Sequence, residues 1–196
     1  DPGGAGTWDV IRWVYDTEVD LSESDIAMAL LMNENWADES GNGNNGGTPN
    51  LAGFTTLAKA GRASGVFNGS NSVVVVGDLQ FQGDSETAVK TVEFWMKTDA
   101  IDGSILELVN DTVYIDFEGR ELRVVGFGKT TIYVNSLEGN NVLGQGWNHV
   151  VIVSEDPVDA NGVSIGEANG VYYDGLLDDL ILYDSRTLES GDIKRH

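Results

Sequence analysis

The sequence has no cysteine, so no disulfide bond can hold the fold together. It also has no run of about 18 apolar residues, the length that a membrane-spanning helix requires. A positively charged start followed by an apolar stretch, the pattern of a secretion signal, is missing as well. The chain has 196 residues, enough for one domain with a sizeable hydrophobic core. We expect a mature or trimmed form, or a soluble fragment, without a membrane span.

Basic residues are scarce in this chain. Lysine and arginine together number 11, against 32 aspartate and glutamate residues, and the net charge is −21. A surface this acidic repels the phosphates of nucleic acids and anionic lipids. The same composition is typical of proteins from saline habitats and of acidic extracellular proteins. We therefore predict no nucleic-acid partner, and an extracellular or cell-surface location.

The most informative stretch is residues 36–47, which are rich in glycine, asparagine and acidic side chains. Asp38, Asn42 and Asn44 place oxygen-bearing side chains close together, and the glycines between them allow positive φ. A loop of this kind folds back on itself and directs carboxylate, amide and carbonyl oxygens to one point, which suits Ca²⁺. The alternative is a polar surface turn, because glycine, asparagine, aspartate and serine are also the usual turn residues.

The chain divides into two parts of unequal length. Residues 1–20 form an N-terminal lead or an added strand, because residues 8–15 are rich in aromatic and β-branched side chains. Residues 21–196 form the main domain, in which short strand-like runs are separated by turn signals such as Asn161-Gly162. Many short strands at this spacing predict an all-β sandwich, with one short helical turn after Leu188.

Alternation within two predicted strands singles out Trp95 and Asp178. Phe94 lies on the apolar face of its strand, whereas Trp95 lies on the mixed face, where it either stacks against a sugar ring or packs under a loop. In residues 177–183, alternation places Asp178 on the same side as Leu180. An ionised aspartate on an apolar face needs a charged partner, a hydrogen-bond network or a metal ion.

Five motifs follow one another along the main domain: residues 38–46 (DESGNGNNG), 65–75 (GVFNGSNSVVV), 91–97 (TVEFWMK), 146–151 (GWNHVV) and 175–183 (GLLDDLILY). Their order and spacing resemble the laminin G-like branch of the concanavalin A-like lectin/glucanase superfamily. The resemblance covers roughly residues 26–193.

This resemblance implies a jelly-roll sandwich of two antiparallel sheets, and often a calcium ion near one edge. The positions that match such a calcium site are Asp38, Asn42 and Asn44 in the early loop and Asp178 in the last strand. An ion bound at these positions clamps distant parts of the chain together. We therefore expect calcium to stabilise the fold.

The residues that catalysis would need are missing. Glucanases of this superfamily carry two glutamates around an aspartate on one strand, with both carboxylates facing the cleft, and this pattern does not occur here. The sequence also has no Gly-X-Ser-X-Gly turn, phosphate-binding loop or histidine pair at metal-ligand spacing. His149 lies in a Trp-Asn-His-Val strand, which is typical of a core or hydrogen-bonded residue. We predict a protein without catalytic activity.

Two non-enzymatic functions remain. The first is a binding or adhesion module that recognises a glycan or an extracellular protein through loops on a rigid sandwich, with Trp95, Tyr172 and Tyr173 as contact residues. The second is a structural subunit of an extracellular filament, pilus or surface layer. Residues 8–15 motivate this alternative, because an added strand can complete the sheet edge of a neighbouring copy and so produce self-association.

Overall fold

The computed structural model describes residues 21 and 23–193, and almost all of their regular structure is β-strand. Many of the strands are rich in valine, isoleucine and aromatic residues, which favour extended backbone. In chain order the strands are β1 (Ile26–Leu30), β2 (Gly53–Thr55), β3 (Ser64–Asn68), β4 (Val74–Gly77), β5 (Val89–Lys97), β6 (Gly103–Val109), β7 (Val113–Glu118), β8 (Glu121–Val125), β9 (Thr130–Val134), β10 (Leu137–Glu138), β11 (Trp147–Val158), β12 (Val163–Ile165), β13 (Glu167–Ala168), β14 (Val171–Tyr172) and β15 (Asp174–Asp184). A short helix, α1 (Ser190–Ile193), follows them and confirms the predicted helical turn.

The strands form two antiparallel sheets and a small hairpin. The larger sheet has eight strands in the order β10-β9-β11-β5-β15-β3-β2, with β1 also paired to β15. The smaller sheet has five strands in the order β4-β12-β6-β7-β8, and β13 pairs with β14. The prediction of an all-β, jelly-roll-like sandwich of two antiparallel sheets is confirmed.

The hydrophobic core includes side chains from both sheets. Phe94 and Met96 of β5 belong to the same buried cluster as Leu106 of β6 and Ile115 of β7. Side chains alternate along a strand, so the residues on either side of Phe94 point away from the core. The predicted alternation in β5 is therefore confirmed, and Trp95 lies on the outer face of the larger sheet.

A β-bulge in β15 changes the side on which Asp178 lies. The register between β15 and β5 shifts just after Asp178, and Asp179 has a positive φ of 45°. Leu177 and Leu180 both belong to the core cluster, although strict alternation would place them on opposite faces. Asp178 instead pairs with Trp95 on the outer face, so the prediction that it shares a face with Leu180 is wrong.

Strand β1 is buried along its whole length. Met28 and Leu30 belong to the core cluster, whereas Ile26 and Ala29 belong to a second cluster on the outer face of the larger sheet. A strand covered on both faces needs no polar positions, so its sequence is an apolar run without alternation. For this reason the sequence pattern alone does not identify β1 as a strand.

Residues 185–193 cover part of the outer face of the larger sheet. Leu188 and Ile193 belong to the second cluster together with Tyr183 of β15. Arg186 forms ion pairs with two acidic residues that precede β1, and its guanidinium lies 5.6 Å from the centre of the Tyr183 ring. The segment is therefore held by apolar packing and by charge pairs.

Residues 1–20, which include the predicted lead or added strand at residues 8–15, lie outside the described residues. In the part of the chain that the structure describes, no helix has the length and apolar character needed to cross a membrane.

Candidate functional site

Residues 36–47, the Gly/Asn loop, fold along the edge of β1 that faces away from β15. Asp38 Oδ1 accepts hydrogen bonds from the backbone N–H groups of Ala29 (2.9 Å) and Ser40 (3.0 Å). Asp38 Oδ2 accepts from the N–H of Asn44 (2.9 Å) and from the Ser40 hydroxyl (2.8 Å). Both carboxylate oxygens are therefore occupied by donors from the protein itself.

The two asparagines of the Gly/Asn loop extend this arrangement. Asn44 Nδ2 donates to the carbonyl oxygens of Ala27 (2.8 Å) and Gln80 (2.7 Å), and its Oδ1 accepts from the Gln80 N–H (2.8 Å). Asn42 Nδ2 donates to Ala27 (3.1 Å), and its Oδ1 accepts from the N–H of Gln82 (3.1 Å). Unpaired backbone groups at a strand edge promote association with other chains. The Gly/Asn loop covers that edge with side-chain amides.

The structure does not bring together the four residues predicted to hold one calcium ion. Leu30 of β1 pairs with Asp38 on one side and with Leu180 of β15 on the other, so β1 separates Asp38 from the strand that carries Asp178. Within residues 21 and 23–193, no group of three or more His, Cys, Asp or Glu side chains is placed to hold a metal ion. Hydrogen bonds hold the Gly/Asn loop in this arrangement, and calcium binding there stays a prediction.

Asp178 is fully buried and holds the loop that precedes β3. Its Oδ2 accepts the N–H groups of Lys59 (2.8 Å) and Ala60 (3.0 Å). Its Oδ1 has no hydrogen-bond partner of ordinary geometry among the described residues. Burial raises the pKa of Asp178 to about 6, while the backbone amides of Ala60, Lys59 and Asp179 act in the opposite direction. At neutral pH the fold therefore contains a carboxylate that is poorly solvated.

Replacing Asp178 with asparagine is expected to stabilise the protein at pH 8 and to have little effect at pH 4. The raised pKa means that the folded protein binds a proton more tightly than the unfolded chain, so the free energy of unfolding falls as the pH rises from about 4 to about 6. Asparagine keeps an acceptor for the two backbone amides and removes the charge, which we expect to contribute about 2 kcal/mol at pH 8. Urea unfolding at pH 4, 6 and 8 measures this difference.

The matched control for this prediction is Asp99→Asn, because Asp99 is an exposed aspartate near the end of β5. It should have little effect at any of the three pH values. A variant with asparagine at position 178 that is less stable than the wild type at pH 8 contradicts the prediction. That result would mean that the backbone amides and the charge of Lys59 outweigh the cost of burying the Asp178 carboxylate.

Trp95 lies between two polar neighbours on the outer face of the larger sheet. Its ring centre is 4.7 Å from that of His149, and the Nζ of Lys59 lies 4.1 Å from the Trp95 ring centre. The backbone of Lys59 is held by Asp178. Of the two alternatives for Trp95, the structure shows packing under a loop, and sugar stacking at this ring stays a prediction.

A buried hydrogen-bond network continues from Trp95 along the outer face. Glu93 Oε1 lies 2.8 Å from Nε2 of His149, and Glu93 Oε2 accepts from the hydroxyl of Tyr183 (2.9 Å). All three side chains are almost completely buried. The expectation that His149 is a core or hydrogen-bonded residue is confirmed.

The two neighbouring tyrosines lie in different surroundings. Tyr173 is fully buried, and its hydroxyl hydrogen-bonds to the carbonyl oxygens of Leu176 (3.0 Å) and Lys97 (3.1 Å). Burial also raises its pKa, which keeps the hydroxyl protonated. Tyr173 is therefore a core residue and not a surface contact, which corrects the prediction at this position. Tyr172, in β14, is partly exposed and remains available for contact.

A polar groove opens beside β9, near one edge of the larger sheet. It has a volume of about 580 Å³ and is lined by Thr130, Thr131, Ile132, Glu138, Gly139 and Asn141. The lining thus combines threonine, glutamate and asparagine residues with Ile132. Such a mixture of hydrogen-bonding groups and apolar contact suits a small polar ligand.

Residues 138–144, which we call the strap, form one wall of this groove and connect the edges of both sheets. On the side of the larger sheet, the N–H of Gly139 donates to the carbonyl of Ile132 (2.8 Å). On the side of the smaller sheet, the N–H of Leu122 in β8 donates to the carbonyl of Asn141 (2.8 Å). The groove is therefore held by backbone hydrogen bonds at two points.

The sequence pattern does not identify this groove. Thr130 and Thr131 have the composition of an ordinary strand, and Glu138-Gly139-Asn140-Asn141 has that of a turn. The β9–β10 hairpin and the hydrogen bond from Gly139 to Ile132 bring the two segments together, and the bonds from the strap to β8 hold the other end of the strap. The one local signal is a turn rich in amide and carboxylate side chains directly after a short strand.

The fold and the groove define a β-sandwich domain with an open polar groove at its edge. No family model matches the sequence, and no curated protein is similar to it. Domain 4 of AbnA, an extracellular arabinanase of family GH43 from Geobacillus stearothermophilus solved in complex with arabinotriose, has a similar structure. The TM-score is 0.57 with 16% sequence identity, and the match covers 87% of this chain and 97% of that domain.

Two further structures share the fold. The binding domain of botulinum neurotoxin serotype D is 10% identical with a TM-score of 0.51, and the match covers 87% of this chain and 51% of that domain. The sialidase of Trypanosoma rangeli, in complex with the inhibitor DANA, is 14% identical with a TM-score of 0.51. That match covers 86% of this chain and 31% of the sialidase. The chain thus has the β-sandwich architecture of these three proteins.

Proposed function

We propose that this protein is a non-catalytic glycan-binding module and that the groove between β9 and the strap holds the sugar. The composition of the groove is the main support for this proposal. Thr130, Glu138 and Asn141 of the lining carry hydroxyl, carboxylate and amide groups, which can hydrogen-bond to the hydroxyl groups of a sugar. The volume of about 580 Å³ lies within the usual range for small-ligand sites.

The comparison with the arabinanase domain supports the same function. That domain was solved with arabinotriose, and the match covers 97% of its length. The groove supports a binding role without catalysis, because glycoside hydrolysis uses a pair of carboxylates and Glu138 is the one carboxylate in the described lining. Membership of the laminin G-like branch, an adhesive role and an extracellular location are further parts of this proposal.

Self-association through residues 8–15 stays a prediction from the sequence, because these residues lie outside the described part of the chain. The same holds for the structural-subunit alternative. Among the described strands, β2 and β10, which end the larger sheet, contain three and two residues. Edges this short offer little backbone for pairing with another chain.

Binding is tested by titration calorimetry with arabinotriose and other neutral oligosaccharides, after a glycan array has identified those that the protein retains. Thr130→Val and Glu138→Gln are each expected to weaken binding about tenfold, since each removes or weakens a hydrogen bond to the ligand. Both substitutions nearly preserve side-chain shape, so the fold should be unchanged.

The matched controls are Thr56→Val and Glu39→Gln, because both residues are exposed and distant from β9 in the order of the larger sheet. Each control should bind like the wild type. Equal losses in groove and control variants, or no loss in either groove variant, would place the sugar elsewhere on the molecule.

A further inference from the structure

The basic side chain next to the groove is engaged in an ion pair. Lys129 directly precedes Thr130, which lines the groove, and its Nζ pairs with the carboxylate of Glu155. The hydrogen bond to this carboxylate raises the pKa of Lys129. The backbones are also joined, because the N–H of Glu155 donates to the carbonyl of Lys129 (2.9 Å). The Lys129 ammonium group therefore has a carboxylate partner in an exposed ion pair.

Arg120 is engaged by the strap and by a neighbouring loop. Its guanidinium donates to the carbonyl oxygens of Gly144 (2.8 Å), Leu143 (3.3 Å) and Ala100 (3.3 Å). Its own carbonyl accepts from the N–H of Leu143 (2.9 Å). These bonds hold the far end of the strap, and they use the donors that would otherwise bind an anionic ligand.

Arg123 of β8 directly follows Leu122, whose N–H donates to the strap. Its Nη2 and Nε donate to the two carboxylate oxygens of Asp116 (2.7 and 2.9 Å), and its Nη1 pairs with Glu118. The Asp116 carboxylate raises the pKa of Arg123. A guanidinium bound on both sides by carboxylates has little capacity left for a ligand.

The groove itself has a negative potential. Glu138 is its one ionisable lining residue among those described, and no lysine, arginine or histidine lines it. The whole chain carries a net charge of −21. An anionic sugar that approaches the groove therefore meets repulsion at long range and no free cation at short range.

We infer that the groove selects neutral oligosaccharides and rejects sugars that carry carboxylate, sulfate or phosphate groups. The inference rests on the proposed function, since it names the ligand class of the same groove. Selection follows from the carboxylate of Glu138 and from a lining without lysine, arginine or histidine, while Lys129, Arg120 and Arg123 are each paired within the protein. In a neutral sugar, the Glu138 carboxylate accepts hydrogen bonds from hydroxyl groups, whereas an acidic sugar places a second negative charge beside it.

The test is a glycan array that contains neutral glycans and their acidic counterparts, at low ionic strength so that the protein field is not screened. The wild-type protein should retain neutral glycans only. Calorimetry with galactotriose and trigalacturonate, which differ in charge at each sugar, then gives the affinity for each class. Preference for acidic glycans would overturn the inference, and retention of no glycan at all would instead overturn the proposed function.

A gain of binding gives a second readout. Glu155→Gln removes the partner of Lys129 without changing a groove residue, so a free ammonium group becomes available next to Thr130. Acidic glycans should then bind about tenfold more tightly than to the wild type, since a hydrogen bond to a charged group is among the stronger ones. Binding of neutral glycans and the unfolding temperature should be unchanged, because the pair is exposed. Unchanged rejection of acidic glycans by this variant would show that Lys129 pairing does not set the selectivity.

Discussion

Replacing Glu93 with alanine is expected to lower the free energy of unfolding by about 3 kcal/mol, because it leaves two buried polar groups without their acceptor. Glu93 lies 2.8 Å from Nε2 of His149 and accepts the Tyr183 hydroxyl at 2.9 Å. Burial and the neighbouring Glu93 carboxylate raise the pKa of Tyr183, so its hydroxyl remains a donor. In a domain of this size the change corresponds to a fall in unfolding temperature of about 9 °C.

Urea unfolding and calorimetry of the two alanine variants Glu93→Ala and Glu39→Ala measure this effect. Glu39 is exposed, so its replacement controls for the loss of one negative charge and should change stability by less than about 0.5 kcal/mol. Glu93→Gln should fall between Glu93→Ala and the wild type, because the amide keeps one acceptor oxygen. Similar small effects for Glu93→Ala and Glu39→Ala would show that the network does not stabilise the fold.

Replacing Asp38 with alanine is expected to lower the free energy of unfolding by about 2 kcal/mol, both with calcium and with a chelator. The substitution removes the acceptor of three backbone N–H groups and one hydroxyl, which hold the Gly/Asn loop against β1. Since protein donors occupy both Asp38 oxygens, the loss caused by Asp38→Ala should have the same size in calcium and in chelator at matched ionic strength.

If calcium binds at the site predicted from the sequence, the unfolding temperature of the wild type should depend on calcium. Ligand binding to the native state stabilises it, so a bound ion would make the wild-type unfolding temperature fall when chelator is added. Asp178→Ala would then abolish that sensitivity. If both observations are made, the loop and β15 share an ion, and the hydrogen bonds of Asp38 must rearrange to admit it.

The fold was largely predictable because its strands alternate between buried and outward residues. Phe94 and Trp95 fall on the predicted faces, since β5 pairs regularly with its neighbours around them. Asp178 lies on the face opposite to the predicted one, because Asp179 adopts a positive φ and forms a β-bulge. Aspartate adopts positive φ more readily than most residues, but many aspartates do not, so the local sequence does not locate this bulge.

The Gly/Asn loop shows why the site was harder to predict than the fold. Its composition correctly indicates a loop that folds back on itself. Its side-chain oxygens accept N–H groups as readily as they bind a cation, and the sequence does not show that β1 lies beside them. Asp38 and Asn44 meet the backbone of β1 and residue 80, which are distant in the chain. The groove beside β9 needs the bond from the strap to β8 in addition to the local β9–β10 hairpin.

The position of β15 has a consequence for how the protein is made. This strand lies at the centre of the larger sheet and pairs with β1, β3 and β5, yet it follows every other strand of that sheet in the sequence. During synthesis, the earlier strands therefore leave the ribosome without their central partner. Sheets that depend on such distant pairing form slowly and expose unpaired strand edges until the sheet is complete. We therefore expect the growing chain to be prone to aggregation until β15 emerges and completes the sheet.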